Sequence, residues 1–80
     1  MEIKVLGPGC PKCKEAEALM SEAVREAGTV ATVVKVTDFQ QIASLGVFST
    51  PAVVIDGQVK CVGRVPSREE AKAWVASPRG

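Results

Sequence analysis

Two of the three cysteines in this chain stand in one short motif, Cys10-Pro11-Lys12-Cys13, and no other residues in the sequence combine reactive type with such close spacing. If the motif opens a helix, the two sulfurs lie one turn apart and can join in a reversible disulfide without large backbone movement. At a helix start, unpaired backbone N–H groups and the positive end of the helix dipole favour an anion, and Lys12 and Lys14 add positive charge nearby. Cys10 is therefore expected to be the more acidic thiol. A free cysteine with a pKa of about 8.5 is a few per cent thiolate at neutral pH, whereas one near 7 is about half ionised. Nucleophilicity falls along with the pKa, so the rate gains less than the thiolate population does. The expected chemistry is attack by Cys10 on a partner disulfide, followed by attack of Cys13 on the mixed disulfide from the shielded side of the turn.

The rest of the composition narrows this chemistry. The chain of 80 residues has no histidine and no tyrosine, which removes the commonest proton shuttle and the commonest zinc ligand together. Two thiolates at a helix start also suit copper(I) or zinc, so a soft-metal carrier is the rival reading from another class. A structural zinc site wants four ligands, and three cysteines fall short of that. A non-catalytic adaptor with inert cysteines is a third reading. Neither a metal nor an organic cofactor is required by the redox reading. Ten basic and nine acidic residues leave a formal charge of +1, with no excess field to attract nucleic acid or an anionic membrane. The opening Met-Glu-Ile-Lys-Val-Leu-Gly does not read as a secretory signal, no apolar run is long enough to span a bilayer, and three unevenly spaced cysteines do not read as a disulfide framework. The expectation is a cytoplasmic, monomeric protein with residues 1–80 forming one domain.

The elements that must position the cysteines follow from periodicity. Glu2 to Leu6 alternates polar and apolar residues and meets Gly7-Pro8-Gly9, which ends a strand and turns the chain into the motif. From Pro11 to Ala27, the residues Ala16, Leu19, Met20, Ala23, Val24 and Ala27 recur at helical spacing, with Pro11 suited to the first turn and Gly28 to the end. Val30 to Val36 is rich in β-branched residues and predicts a strand covered on both faces. Asp38 and Gln41 form a capping box for a short helix whose apolar face is Phe39, Ile42 and Leu45, closed by Gly46. Ala52 to Ile55 and Gln58 to Val62 flank Asp56-Gly57, a signal for a two-residue hairpin. Ser67 and Glu70 open a last helix that buries Ala71, Trp74 and Val75, and Ser77-Pro78-Arg79-Gly80 is expected to fray. Cys61, in phase with Val59, reads as a small buried hydrophobe.

The order strand, helix, strand, helix, strand, strand, helix, with cysteines at the first strand-to-helix turn, resembles the thioredoxin fold over nearly the whole chain. The resemblance implies an α/β architecture, βαβ-α-ββα, with a four-stranded mixed sheet flanked by three helices. A small ferredoxin-like metal-binding domain would instead need two strands after the first helix and a strand at the end. The segment Gly-Pro-Gly-Cys-Pro-Lys-Cys is similar to that of the small thioredoxin-like and glutaredoxin-like family sometimes called redox-active disulfide protein 2. In such proteins a cis-proline lies across from the cysteine pair and the backbone before it pairs with an extended substrate. Carried over, Thr50 and Pro51 border the site, with Pro11 and Lys12 on the motif side, and the partners are a protein disulfide and a thiol or reductase donor, glutathione among the candidates. Each of the two family patterns has features with no match here. The tryptophan usual before the first cysteine and the buried acid six positions before it are replaced by Gly9 and Lys4, and the glutathione-holding glycine pair and acid of glutaredoxins by Val62-Gly63-Arg64.

Overall fold

A computed structural model of the chain describes residues 1–76. Seven elements follow one another: β1 (Glu2–Leu6), α1 (Pro11–Ala27), β2 (Thr32–Val36), α2 (Phe39–Ser44), β3 (Ala52–Ile55), β4 (Gln58–Val62) and α3 (Arg68–Ala76). The strands form one mixed sheet in the order β2-β1-β3-β4. β1 runs parallel to β2 and antiparallel to β3, and β3 runs antiparallel to β4. This is the α/β architecture read from the sequence, with the strands and helices in the expected order. The proposed fraying of Ser77 to Gly80 lies outside the described residues.

The alternation in β1 divides the core. Ile3 and Val5 join Ala16, Met20, Ala23, Val53, Ile55, Cys61, Ala71 and Val75 beneath α1 and α3, while Leu6 joins Val36, Ile42, Val47, Ala52 and Val54 on the side of α2. All four residues of β3 are buried, because that strand is interior and both its faces are covered. α1 starts with Pro11 at its first position and ends at Gly28, which takes the left-handed conformation (φ 67°). Across its outer face Arg68 of α3 meets Glu22 at 2.7 Å. The last helix opens with a reciprocal capping box: the Glu70 N–H donates to Ser67 Oγ (3.0 Å) and the Ser67 N–H donates to Glu70 Oε1 (2.9 Å). Trp74 packs partly buried against the core under α1 and α3.

Four sequence expectations are corrected. β2 is not covered on both faces: it is an edge strand, starts at Thr32, and buries only Val36, while Val30 is 91 % exposed. Its β-branched composition favours extended backbone whether or not a second layer lies over it. In α2, Phe39 is 67 % exposed and Leu45 is also exposed, so Ile42 alone anchors the helix. A helix of six residues spans too little of the sheet to bury a full stripe. Its N-cap is Asp38 as expected, but the carboxylate accepts from the N–H of Gln40 (2.8 Å) rather than making a box with Gln41. Finally, Cys61 and Val59 are out of phase. A bulge between Val53 and Val54 pairs Val59 with Val54 and Cys61 with Val53, which puts Cys61 in the core and leaves Val59 exposed. The hairpin turn itself is as predicted, with positive φ at both Asp56 (49°) and Gly57 (84°).

Candidate active site

The turn after β1 delivers the cysteine motif to the end of the sheet. Cys10 is the N-cap of α1, in extended conformation, and its carbonyl accepts the first helical bond from the Lys14 N–H at 3.0 Å. Its sulfur takes the place that a serine or aspartate oxygen occupies at other helix starts, accepting the N–H of Cys13 at 3.3 Å. The two thiols occupy different environments. Cys10 is half-buried at the surface, whereas Cys13, one turn on, is buried on the inner side of α1.

This asymmetry separates their acidities. The Cys13 thiol, the backbone N–H of Cys13 and that of Lys12 all donate toward Cys10, and together they lower its pKa from the ordinary thiol value. Burial pushes the Cys13 thiol the other way, reinforced by its role as donor to Cys10. The sequence expected the charges of Lys12 and Lys14 to do part of this. Both side chains are exposed, and the contribution of Lys12 comes from its backbone N–H. The arrangement provides one accessible thiol inclined to ionise and one shielded thiol inclined to keep its proton.

The opposite wall comes from the loop before β3. The Thr50-Pro51 peptide bond is cis, Pro51 is buried, and its carbonyl accepts the N–H of Gly63 at 2.8 Å, tying this loop to the end of β4. Gly63 in turn sits close to Ser49, where an added Cβ would stand 3.3 Å from the Ser49 Cβ. Gly7, buried at the end of β1, joins the two walls. A Cβ placed there would overlap the sulfur of Cys13 and lie 3.6 Å from the Cβ of Thr50. Cys13 and Thr50 thus converge on one backbone position.

The family profile of the thioredoxin domain matches residues 1–76, from the first strand through the last helix. The chain belongs to the thioredoxin family. It is 44 % identical over 75 residues to a thioredoxin of Methanocaldococcus jannaschii, covering 94 % of this chain and 86 % of that protein. It is 39 % identical over 72 residues to a thioredoxin of Methanothermobacter thermautotrophicus, covering 90 % of this chain and 94 % of that one. The function is that of a thiol-disulfide oxidoreductase with Cys10 and Cys13 as its redox pair. No helix among the described residues is long and apolar enough to cross a membrane.

Pro11 and Lys12 lie exposed between the two cysteines, and Thr50 approaches Cys13 across Gly7. Cys61 belongs to neither wall; it is buried in the core under α1 and α3, and burial raises its pKa. No polar or charged side chain is buried among the described residues, so no interior carboxylate stands behind Cys13. Lys4, at the place of the usual thioredoxin acid, makes a long ion pair with Glu2 at 3.8 Å. Arg64 is held by Glu70 through two parallel bonds of 2.7 and 2.8 Å. Two features were missed in the sequence. Gly7 reads there only as part of a turn, since nothing local shows that a sulfur six residues away lies over it. The Arg64–Glu70 clamp was equally hidden, although Glu70 had been assigned to the helix cap.

Proposed function

We propose that Cys10 is the attacking thiol and Cys13 the resolving one, acting on disulfides of partner proteins. The observation that carries this reading is the donation of the Cys13 N–H to the Cys10 sulfur at 3.3 Å, with Cys10 half-buried at the surface and Cys13 buried. The Cys10 thiolate attacks one sulfur of the partner disulfide and releases the other as a thiolate. Cys13, after giving up its proton to solvent or to that thiolate, attacks the Cys10 sulfur and displaces the second partner sulfur. Two electrons pass from the pair to the partner, and a Cys10-Cys13 disulfide remains. A thiol or a reductase then returns two electrons.

Pro11 and Lys12 on one side, and Thr50 and Pro51 on the other, are taken as the border against which an extended partner segment lies, with the open backbone beside Pro51 available for pairing. A protein partner is favoured over glutathione because Arg64, the nearest candidate for a glutathione carboxylate in the sequence, already has both guanidinium nitrogens on Glu70. The reading takes residues 1–80 as one thioredoxin domain working as a monomer, since every group it invokes comes from one chain. A reducing compartment such as the cytoplasm suits a chain whose three unevenly spaced cysteines form no structural disulfide framework.

The test uses protein carrying Cys61→Ala, equilibrated against graded thiol-disulfide buffers and read by alkylation and mass. A Cys10-Cys13 disulfide at a defined potential, with Cys10 alkylating faster than Cys13 at neutral pH, is the expected result. Faster alkylation of Cys13 would reverse the roles. Tight copper(I) or zinc binding by the reduced pair, with no disulfide under oxidising buffer, would replace the mechanism with metal carriage.

A further inference from the structure

The sulfur of Cys13 lies where the side chain of residue 7 would be. A Cβ at Gly7 would overlap Cys13 Sγ and stand 3.1 Å from Cys13 Cβ. Gly9, Gly28, Gly46, Gly57 and Gly63 have positive φ, but Gly7 does not, so its backbone conformation is open to any residue and only space requires glycine there.

Neither partner in this contact yields cheaply. The Gly7 N–H donates to the carbonyl of Val36 at 2.9 Å, which carries the β1–β2 pairing one residue past the strand. Cys13 is held by the first turn of α1, where its N–H donates to Cys10 Sγ at 3.3 Å. A methyl group at position 7 would therefore drive the sulfur out of its place and into another rotamer.

We propose that Gly7 is a positioning residue for the resolving step, its missing side chain providing the seat from which Cys13 attacks Cys10. This rests on the reading in which Cys13 resolves. In that step the Cys13 thiolate bonds to Cys10 Sγ, the bond from Cys10 to the partner sulfur breaks, and the partner leaves as a thiolate with the electron pair. A reacting atom misplaced by about an ångström loses on the order of a hundredfold in rate. Cys10 keeps its place as the N-cap of α1 with the Cys13 N–H on its sulfur, so its attack suffers far less than the resolving step even though the Cys13 thiol moves away from it.

The test is Gly7→Ala in the Cys61→Ala protein, mixed in the reduced state with an excess-free aromatic disulfide whose released thiolate absorbs visible light. The first equivalent of released thiolate reports attack by Cys10 and the second reports resolution by Cys13. The expected result is a first phase slowed by less than about tenfold and a second phase slowed on the order of a hundredfold, with a long-lived mixed disulfide on Cys10 visible by mass. An unchanged second phase in the folded variant overturns the proposal. Cys13→Ala tests the underlying reading separately: it must stop at one equivalent with the label on Cys10, and a label elsewhere refutes the order of attack without bearing on the seat. Should Gly7→Ala fail to fold, the pair Gly7→Ala, Cys13→Gly decides, since it removes both Cys13 atoms that the added Cβ would meet. Recovery of the melting temperature of Cys13→Gly alone supports the seat, and failure to recover overturns it.

Discussion

Replacing Met20 by alanine should loosen the helix that carries the redox pair more than any other single truncation along it. The fully buried row of α1 is Cys13, Ala16, Met20 and Ala23, so Met20 is the one large side chain with which that row grips the sheet. It is 0 % exposed and sits among Ile3, Val5, Val53 and Ile55. Truncating a buried methionine to alanine costs about 2–5 kcal/mol, the sum of lost transfer energy and an unfilled cavity. The fully buried neighbours on the helix are alanines, and Leu19 and Val24 are already packed at the margin of the same core, so the gap fills only in part and a value of about 3–4 kcal/mol is expected. For 80 residues the whole stability is about 4–12 kcal/mol, so this one change removes a large share of it. At roughly 4–8 °C per kcal/mol for a domain of this size, the melting temperature should fall by more than about 12 °C. The assay is urea unfolding followed by the fluorescence of Trp74, the single tryptophan, which is packed partly buried against the same core. Met20→Leu, which nearly conserves volume, should lose less than about 1.5 kcal/mol. A Met20→Ala loss below about 1 kcal/mol would refute the claim that this side chain anchors α1.

Ser67→Ala removes one half of the capping box on α3 and should cost about 1 kcal/mol, read as a fall of roughly 4–8 °C in melting temperature. Arg64 first, and the Ser67 N–H second, hold the Glu70 carboxyl at about 2, below its unfolded value of about 4.3. The unfolded chain therefore binds the proton first, and the stabilisation is fully present above about pH 4.3 and disappears as pH falls through about 2. Urea midpoints measured against pH should decline through that window in the native protein and decline less in Glu70→Gln; parallel curves would remove Glu70 from the explanation. Burial raises the pKa of Cys61, so in native protein Cys61 should alkylate far more slowly than Cys10, and Cys61→Ala should leave the Cys10-Cys13 potential unchanged. Phe48, 83 % exposed, should tolerate alanine with a stability change within about 0.5 kcal/mol by the same urea assay.

Much of the site was legible because its parts are local. The two cysteines one turn apart at a helix start, Pro11 in the first turn and the shielding of Cys13 follow from spacing along one helix turn, and the structure bears them out; that Cys10 is the N-cap is seen only there. The capping box of Ser67 and Glu70 and the turn at Asp56-Gly57 are likewise written in residues three or fewer apart. Where expectation failed, the deciding contact was remote or the pattern was silent about neighbours. Phe39 and Leu45 have the periodicity of a buried stripe, but whether a stripe is buried depends on how much sheet lies beneath it. The phase of Cys61 turned on a bulge whose extra residue is invisible in an apolar run. The direction of the Cys10 shift was legible from the helix start, while the N–H donors of Cys13 and Lys12 that produce it became visible only in the structure.

The sequence by itself determined the order of elements, the single redox motif and its asymmetry, because propensity, capping and helix spacing act between near neighbours. The tertiary structure alone decided that β2 lies at the edge, that the Gly63 N–H ties the end of β4 to the Pro51 carbonyl, and that Gly7 leaves room for the Cys13 sulfur. Those outcomes depend on packing between segments distant in the chain, where excluded volume and hydrogen-bond partners are set by the sheet's pairing rather than by any local pattern.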